Sequence, residues 1–193
     1  MYYHGSKTPN IKILHPNMSL HKEMYVYLTE NIAVALIYTV NAIEVFFDQK
    51  NIKKPEVFQP WYSYGFDQFQ IPVIEEYYPN ATIETYSGNS GYIYLCEKPK
   101  SISNPTKIPT VFVTQEPVKT IEEIFIKDVY QEMLKYEKQG LLKINRFENN
   151  SDKFNEHILG MIKEDIHKYG LLKNVNHPYG VFLRAKFPVL FES

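Results

Sequence analysis

The chain has 193 residues and a formal net charge of −1, from 21 Lys and Arg against 22 Asp and Glu. That length suits one domain, or two small ones. A content of 44% apolar and 22% charged residues excludes a disordered tail or a coiled coil, and the balance of signs argues against general DNA binding.

Aromatic residues are in excess, at 15%, with 16 Tyr and 12 Phe but one Trp. Basic residues are nearly all lysine, because only Arg146 and Arg184 are arginine. The single cysteine, Cys96, excludes an internal disulfide and a Cys-based zinc cluster. Met1 to Ser6 has neither the basic nor the apolar region of a signal peptide. The longest apolar stretch, Ile32 to Phe47, is interrupted by Asn41 and Glu44 and is shorter than the ~20 residues of a bilayer span. The expectation is one cytoplasmic domain over residues 1–193, with no membrane partner.

In chain order, Tyr2 to His4 reads as a short strand ending at Gly5, followed by a polar loop to about Lys22. Met24 to Leu28 is a second strand by its β-branched and aromatic content. Thr29 or Asn31 would cap a helix whose apolar positions Ile32, Leu36, Val40 and Ile43 follow helical spacing. Residues 48–80 read as irregular, with Pro55, Pro60, Pro72 and Pro79 and the aromatic run Trp61 to Phe66. Thr82 to Tyr86 and Tyr92 to Cys96 read as strands around the turn Ser87 to Gly91.

Thr110 to Thr114 is a further strand. Pro117 would precede a helix carrying Ile121, Ile124, Phe125 and Val129, which Gly140 stops. Leu141 to Phe147 alternates as a strand. Ser151 or Asp152 caps a helix with Phe154, Ile158, Met161, Ile162 and Ile166, ending near Gly170. Val181 to Phe191 fits strand or helix equally. The sum is α+β.

Two segments carry candidate chemistry. In Tyr3-His4-Gly5-Ser6, the glycine lets a ligand lie against bare backbone, and the histidine can bond a ribose hydroxyl or move a proton. Tyr27 and Tyr38 stand eleven residues apart across a strand-to-helix turn, where two rings could hold a flat heterocycle. Taken singly, a His-Gly-Ser in a loop and two core tyrosines would account for each.

Together, strand-His-Gly-Ser, then strand-Tyr-x-Thr, then an alanine-bearing helix with a tyrosine resembles the ADP-ribosyltransferase-like fold. The resemblance is to its histidine–tyrosine branch of poly-ADP-ribose polymerases and diphtheria-type toxins, and it covers roughly residues 2 to 40. It implies short strands in a split mixed sheet flanked by helices. It implies NAD as substrate, cleaved at the nicotinamide–ribose bond, with ADP-ribose passed to a protein or nucleic-acid acceptor. Carried over, His4, Gly5, Ser6, Tyr27, Thr29 and Tyr38 would bind the nucleotide, with His4 and Tyr27 also catalytic. The whole chain also resembles an uncharacterised family of Firmicute proteins, through Tyr3 to Ser6, Glu76 to Asn80, Ser90 to Tyr94 and Phe182 to Pro188.

Active members of the fold carry a Glu at the start of a late strand, where it stabilises the charge that develops on the ribose. Here that strand opens on Thr110, which has no carboxylate. Glu116, five or six residues later, is the catalytic candidate, with Glu97 another and a solvated acid before the next helix the plain alternative. Without a carboxylate the chain would be a non-catalytic nucleotide-binding or protein-interaction module. A 2′-phosphotransferase reading needs more arginines than Arg146 and Arg184 supply. His157, Met161, Glu164 and His167 follow helical spacing, but they lack the partner geometry of a metal site, and no metal is expected. His15, His21, Lys53-Lys54 and Lys98-Pro-Lys100 read as solvated loop residues. Trp61 to Phe66 would cover a pocket or pin a loop.

Overall fold

The computed structural model describes residues 1–18, 23–40, 42–53 and 62–192. Trp61, His21, Lys54, Pro55 and Pro60 lie outside the described residues. The elements are β1 (Tyr2–Ser6), β2 (Ile13–Leu14), β3 (Asn17–Met18), β4 (Met24–Thr29), α1 (Ile32–Ile37), α2 (Ala42–Lys50), β5 (Tyr62–Phe66) and β6 (Pro72–Glu76). There follow α3 (Ala81–Tyr86), β7 (Gly91–Cys96), β8 (Val111–Thr114), β9 (Val118–Ile126), α4 (Val129–Lys138), β10 (Lys143–Asn145), α5 (Asp152–Lys168) and α6 (Pro178–Lys186).

Contacts divide the chain into two compact units. The first comprises Met1–Val40, Gly65–Val73 and Tyr86–Lys143, and the second Asn41–Tyr64, Ile74–Thr85 and Ile144–Ser193. The α+β class holds. A seven-stranded sheet runs β2-β9-β7-β1-β4-β3, with β8 also on β4. All of its pairings are antiparallel, so the mixed sheet implied by the resemblance is corrected on this point. β5, β6 and β10 form a three-stranded sheet in the order β10-β6-β5.

β1 is central in the larger sheet. It pairs with β7 from Tyr2↔Cys96 to Ser6↔Tyr92. Tyr2, Val26, Leu28, Tyr94, Cys96 and Val118 form a buried cluster of the first unit. Strand alternation puts Tyr3 and Gly5 on the opposite side from Tyr2, and there α1 comes very close. A Cβ on Gly5 would stand 2.0 Å from the Ala35 carbonyl oxygen, and one on Gly91 would stand 2.5 Å from Thr39 Cβ. Both glycines are required by this approach.

Several elements differ from the sequence reading. The stretch 48–80, expected to be irregular, carries β5 and β6, and the loop expected up to Lys22 carries the short strands β2 and β3, because pairing with other strands decides them. The helix expected through Ile43 is two helices, because the Thr39 hydroxyl donates to the Leu36 carbonyl (2.7 Å) where α1 ends against the two glycines. Thr82 to Tyr86 is helical. Asn80 turns with φ +64°, and the buried Glu76 carboxylate accepts the Thr82 N–H at 2.8 Å, which starts α3. Residues 118–126 form β9 and not a helix, because the full length of β7 ladders onto them.

Other expectations hold. The Asn31 side chain caps α1 by accepting from Ala33 N (2.9 Å) and Val34 N (3.4 Å). Ser151 caps α5, and Gly140 and Gly170 turn with positive φ after α4 and α5. Residues 178–186 settle as helix, with Pro178 at its first position. In the second unit, Phe47, Tyr78, Ile158, Ile162, Tyr179 and Phe182 are among the buried core. No helix among the described residues is long and apolar enough to cross a membrane.

Candidate functional site

β1 and β4 touch as a ladder at one pair, Tyr3↔Thr29. Beyond it the ladder lapses, although β1 stays paired to β7 and β4 to β8. The His4 ring spans the lapse: its Nδ1–H donates to the Tyr27 carbonyl at 2.8 Å. A carbonyl only accepts, so the proton sits on Nδ1, and Nε2 of the neutral ring is left as an acceptor. Withdrawal from water lowers the His4 pKa, against the opposing effect of the Tyr27 carbonyl, so the neutral form is favoured.

Gly5 follows, seated against α1. Ser6 is directed elsewhere, its hydroxyl accepting the Thr8 N–H at 3.1 Å. Tyr27 meets His4 through its backbone. The residue is 36% exposed, and its ring packs edge-on against Tyr25, with centroids 6.2 Å apart. Tyr38 ends α1 as its C-cap and is exposed. Thr29 is buried beside Tyr3. Its hydroxyl accepts from Asn31 N (3.1 Å) and bonds the Thr110 hydroxyl (3.3 Å).

β8 is antiparallel to β4, with Thr29↔Val111 at one end and Val26↔Thr114 at the other. Thr110 therefore belongs to the Thr29 end, where its carbonyl accepts the Glu30 N–H at 2.9 Å. Glu116 follows the opposite end. It is exposed, and its N–H donates to the Thr114 hydroxyl at 3.1 Å. The next element is a strand, so Glu116 does not precede a helix. Glu97 pairs with Lys119 at 3.5 Å.

No family model and no curated protein matches the chain. Its chemistry therefore rests on the geometry.

Two residues gain weight from the structure. Glu30, directly after Thr29, is hydrogen-bonded to the Tyr2 hydroxyl of β1; burial first, and this carboxylate second, raise the Tyr2 pKa. Its sequence signal was its place between Tyr27-x-Thr29 and the capping Asn31. Thr110 has φ +63°, a left-handed conformation that is a genuine outlier for a β-branched residue. Backbone strain of that kind leaves no mark in a single sequence.

Proposed function

We propose that the chain binds an NAD-type dinucleotide where β1 and β4 part. The observation that carries the reading is the single β1–β4 pair at Tyr3↔Thr29, followed by the His4 ring holding the Tyr27 carbonyl. An opened ladder leaves main-chain groups near Gly5 for a planar carboxamide, whose NH2 donates and whose C=O accepts. His4 Nε2 is a neutral acceptor suited to a ribose hydroxyl. The exposed rings of Tyr27 and Tyr38 offer flat faces to a nicotinamide.

The reaction that fits this ligand is transfer of ADP-ribose to a protein or nucleic-acid acceptor. The nicotinamide–ribose bond breaks, nicotinamide leaves with the bonding pair, and the acceptor nucleophile attacks the ribose carbon. A carboxylate beside the ribose would stabilise the developing positive charge. Glu30 is the acid tied to β1, whereas Glu116 leaves the far end of β8.

A second reading, nucleotide binding without transfer, is favoured by one observation. The head of β8 carries Thr110, and its hydroxyl is bonded to Thr29.

Thermal denaturation with NAD, ADP-ribose and nicotinamide tests both. A ligand at a hundred times its dissociation constant adds about 2.7 kcal/mol, and His4→Ala should lose that gain. Labelled NAD separates the two readings: labelled acceptor means transfer, while stabilisation without label means binding alone. No stabilisation by any of the three overturns both.

A further inference from the structure

The second unit holds a cavity of about 320 Å³ between α5 and α6, walled by the rings of Tyr77, Tyr179, Phe182 and Phe187. Asp165 lines it. Asp165 is 7% exposed and stands three residues after the buried Ile162 on α5, so a carboxylate occupies the helix face that packs the apolar core.

A buried carboxylate is costly unless its lone pairs are met. Among the described residues its hydrogen bond is from the Tyr179 hydroxyl, at 2.8 Å to Oδ2. A carboxylate can accept about four. Lys168, one helical turn on, also lines the cavity and its charge is attracted to Asp165, while its Nζ lies over the Tyr169 ring at 5.0 Å and gives the carboxylate no hydrogen bond among the described residues. Tyr179 is itself 1% exposed, so the acid is held at the cavity wall by a buried partner, with acceptor capacity left facing the cavity.

We propose that this cavity binds an organic cation, an ammonium group carried on an apolar body. The ammonium would take the remaining acceptor capacity of Asp165. The aromatic walls would cover the body and add attraction to the cation through their faces. The volume is that of a small-molecule site, apolar with a few convergent polar groups. The site is built wholly from the second unit and is independent of the nucleotide reading.

The test titrates the full chain with 2-phenylethylammonium and with the uncharged 2-phenylethanol, followed by melting temperature and calorimetry. The ammonium should stabilise the protein and the alcohol should bind at least about tenfold more weakly. Asp165→Asn, which keeps the side-chain shape, should lose a similar factor. Tyr179→Phe releases Oδ2 and should retain binding, and Met161→Trp, at the cavity edge, should block it. These two variants carry the test if Asp165→Asn does not fold. Equal binding of alcohol and amine, undiminished binding by folded Asp165→Asn, undisturbed binding in Met161→Trp, or no binding of the amine to the unaltered chain would each overturn the proposal.

Discussion

His4 Nδ1 donates to the carbonyl of Tyr27 at 2.8 Å, joining two central strands at the point where their own ladder has stopped. The bond spans 23 residues and fixes the tautomer of the ring. Its partial burial has a thermodynamic consequence. The folded-state pKa is lowered below the ordinary 6.5, so the unfolded chain binds the proton more readily. The stability linked to neutral His4 is therefore complete above about pH 6.5 and falls as the pH drops from there through the lower folded pKa. Melts between pH 5 and 8 should show this slope, and His4→Gln should flatten it. An unchanged slope in the variant would assign the pH dependence to other groups.

Gly5 is the tightest contact of β1 with α1, with no room for a methyl group beside the Ala35 carbonyl. Gly5→Ala should cost about 3 kcal/mol or more, since backbone on both sides must give way. Denaturant melts would measure it. A loss below about 1 kcal/mol would mean that α1 shifts freely against the sheet.

Thr110 has the opposite sign. Its φ of +63° is unfavourable for a β-branched side chain, and the hydroxyl bond to Thr29 that accompanies it is long, at 3.3 Å. Thr110→Gly should raise stability by about 1 kcal/mol. If the Thr110 hydroxyl also serves the nucleotide, the same variant should bind NAD more weakly while melting higher. A lower melting temperature would show that the threonine pair outweighs the strain.

Glu76 organises the second unit from inside. Its carboxylate accepts from Thr82 N (2.8 Å) and Phe147 N (3.2 Å), and its carbonyl accepts from the Asn150 side chain (2.7 Å). Glu76→Gln turns one acceptor into a donor facing a donor, at a cost of about 3 kcal/mol. The nearby Thr82 hydroxyl is buried with no hydrogen-bond partner among the described residues, so Thr82→Val should be neutral or stabilising by up to ~1 kcal/mol. Equal losses in the two variants would contradict this division of roles.

What could be read from the amino acids was local. β4, β7 and β8 stand out because β-branched and aromatic residues run between turn signals, and α5 because Ile158, Ile162 and Ile166 repeat at one face under a serine cap. α3 escaped because Thr-Ile-Glu-Thr-Tyr has strand propensity, and the carboxylate that makes it a helix lies six residues upstream of Thr82. β9 escaped because Ile121, Ile124 and Phe125 mimic helical spacing, whereas pairing with β7 decides the matter. Around the candidate site, the residue types of His4, Gly5 and Tyr27 drew notice. The contact itself runs to a main-chain carbonyl, which every residue carries, so no side-chain pattern could announce it. The cavity acid Asp165 was hidden in the same way, because on paper it is one more charge on an amphipathic helix.

The central place of β1 bears on how the chain assembles as it is made. Its five paired positions are with Tyr92 to Cys96, some ninety residues later, and the helix that covers Gly5 offers it no strand partner. Until β7 emerges, β1 has a single ladder pair, Tyr3↔Thr29, beside the His4–Tyr27 bond and the cover of α1, and the sheet is unfinished until β9 closes over β7. Closing so long a loop is entropically expensive and slow. A nascent chain halted near residue 85 should therefore leave its first residues open to protease, and one released past residue 126 should protect them.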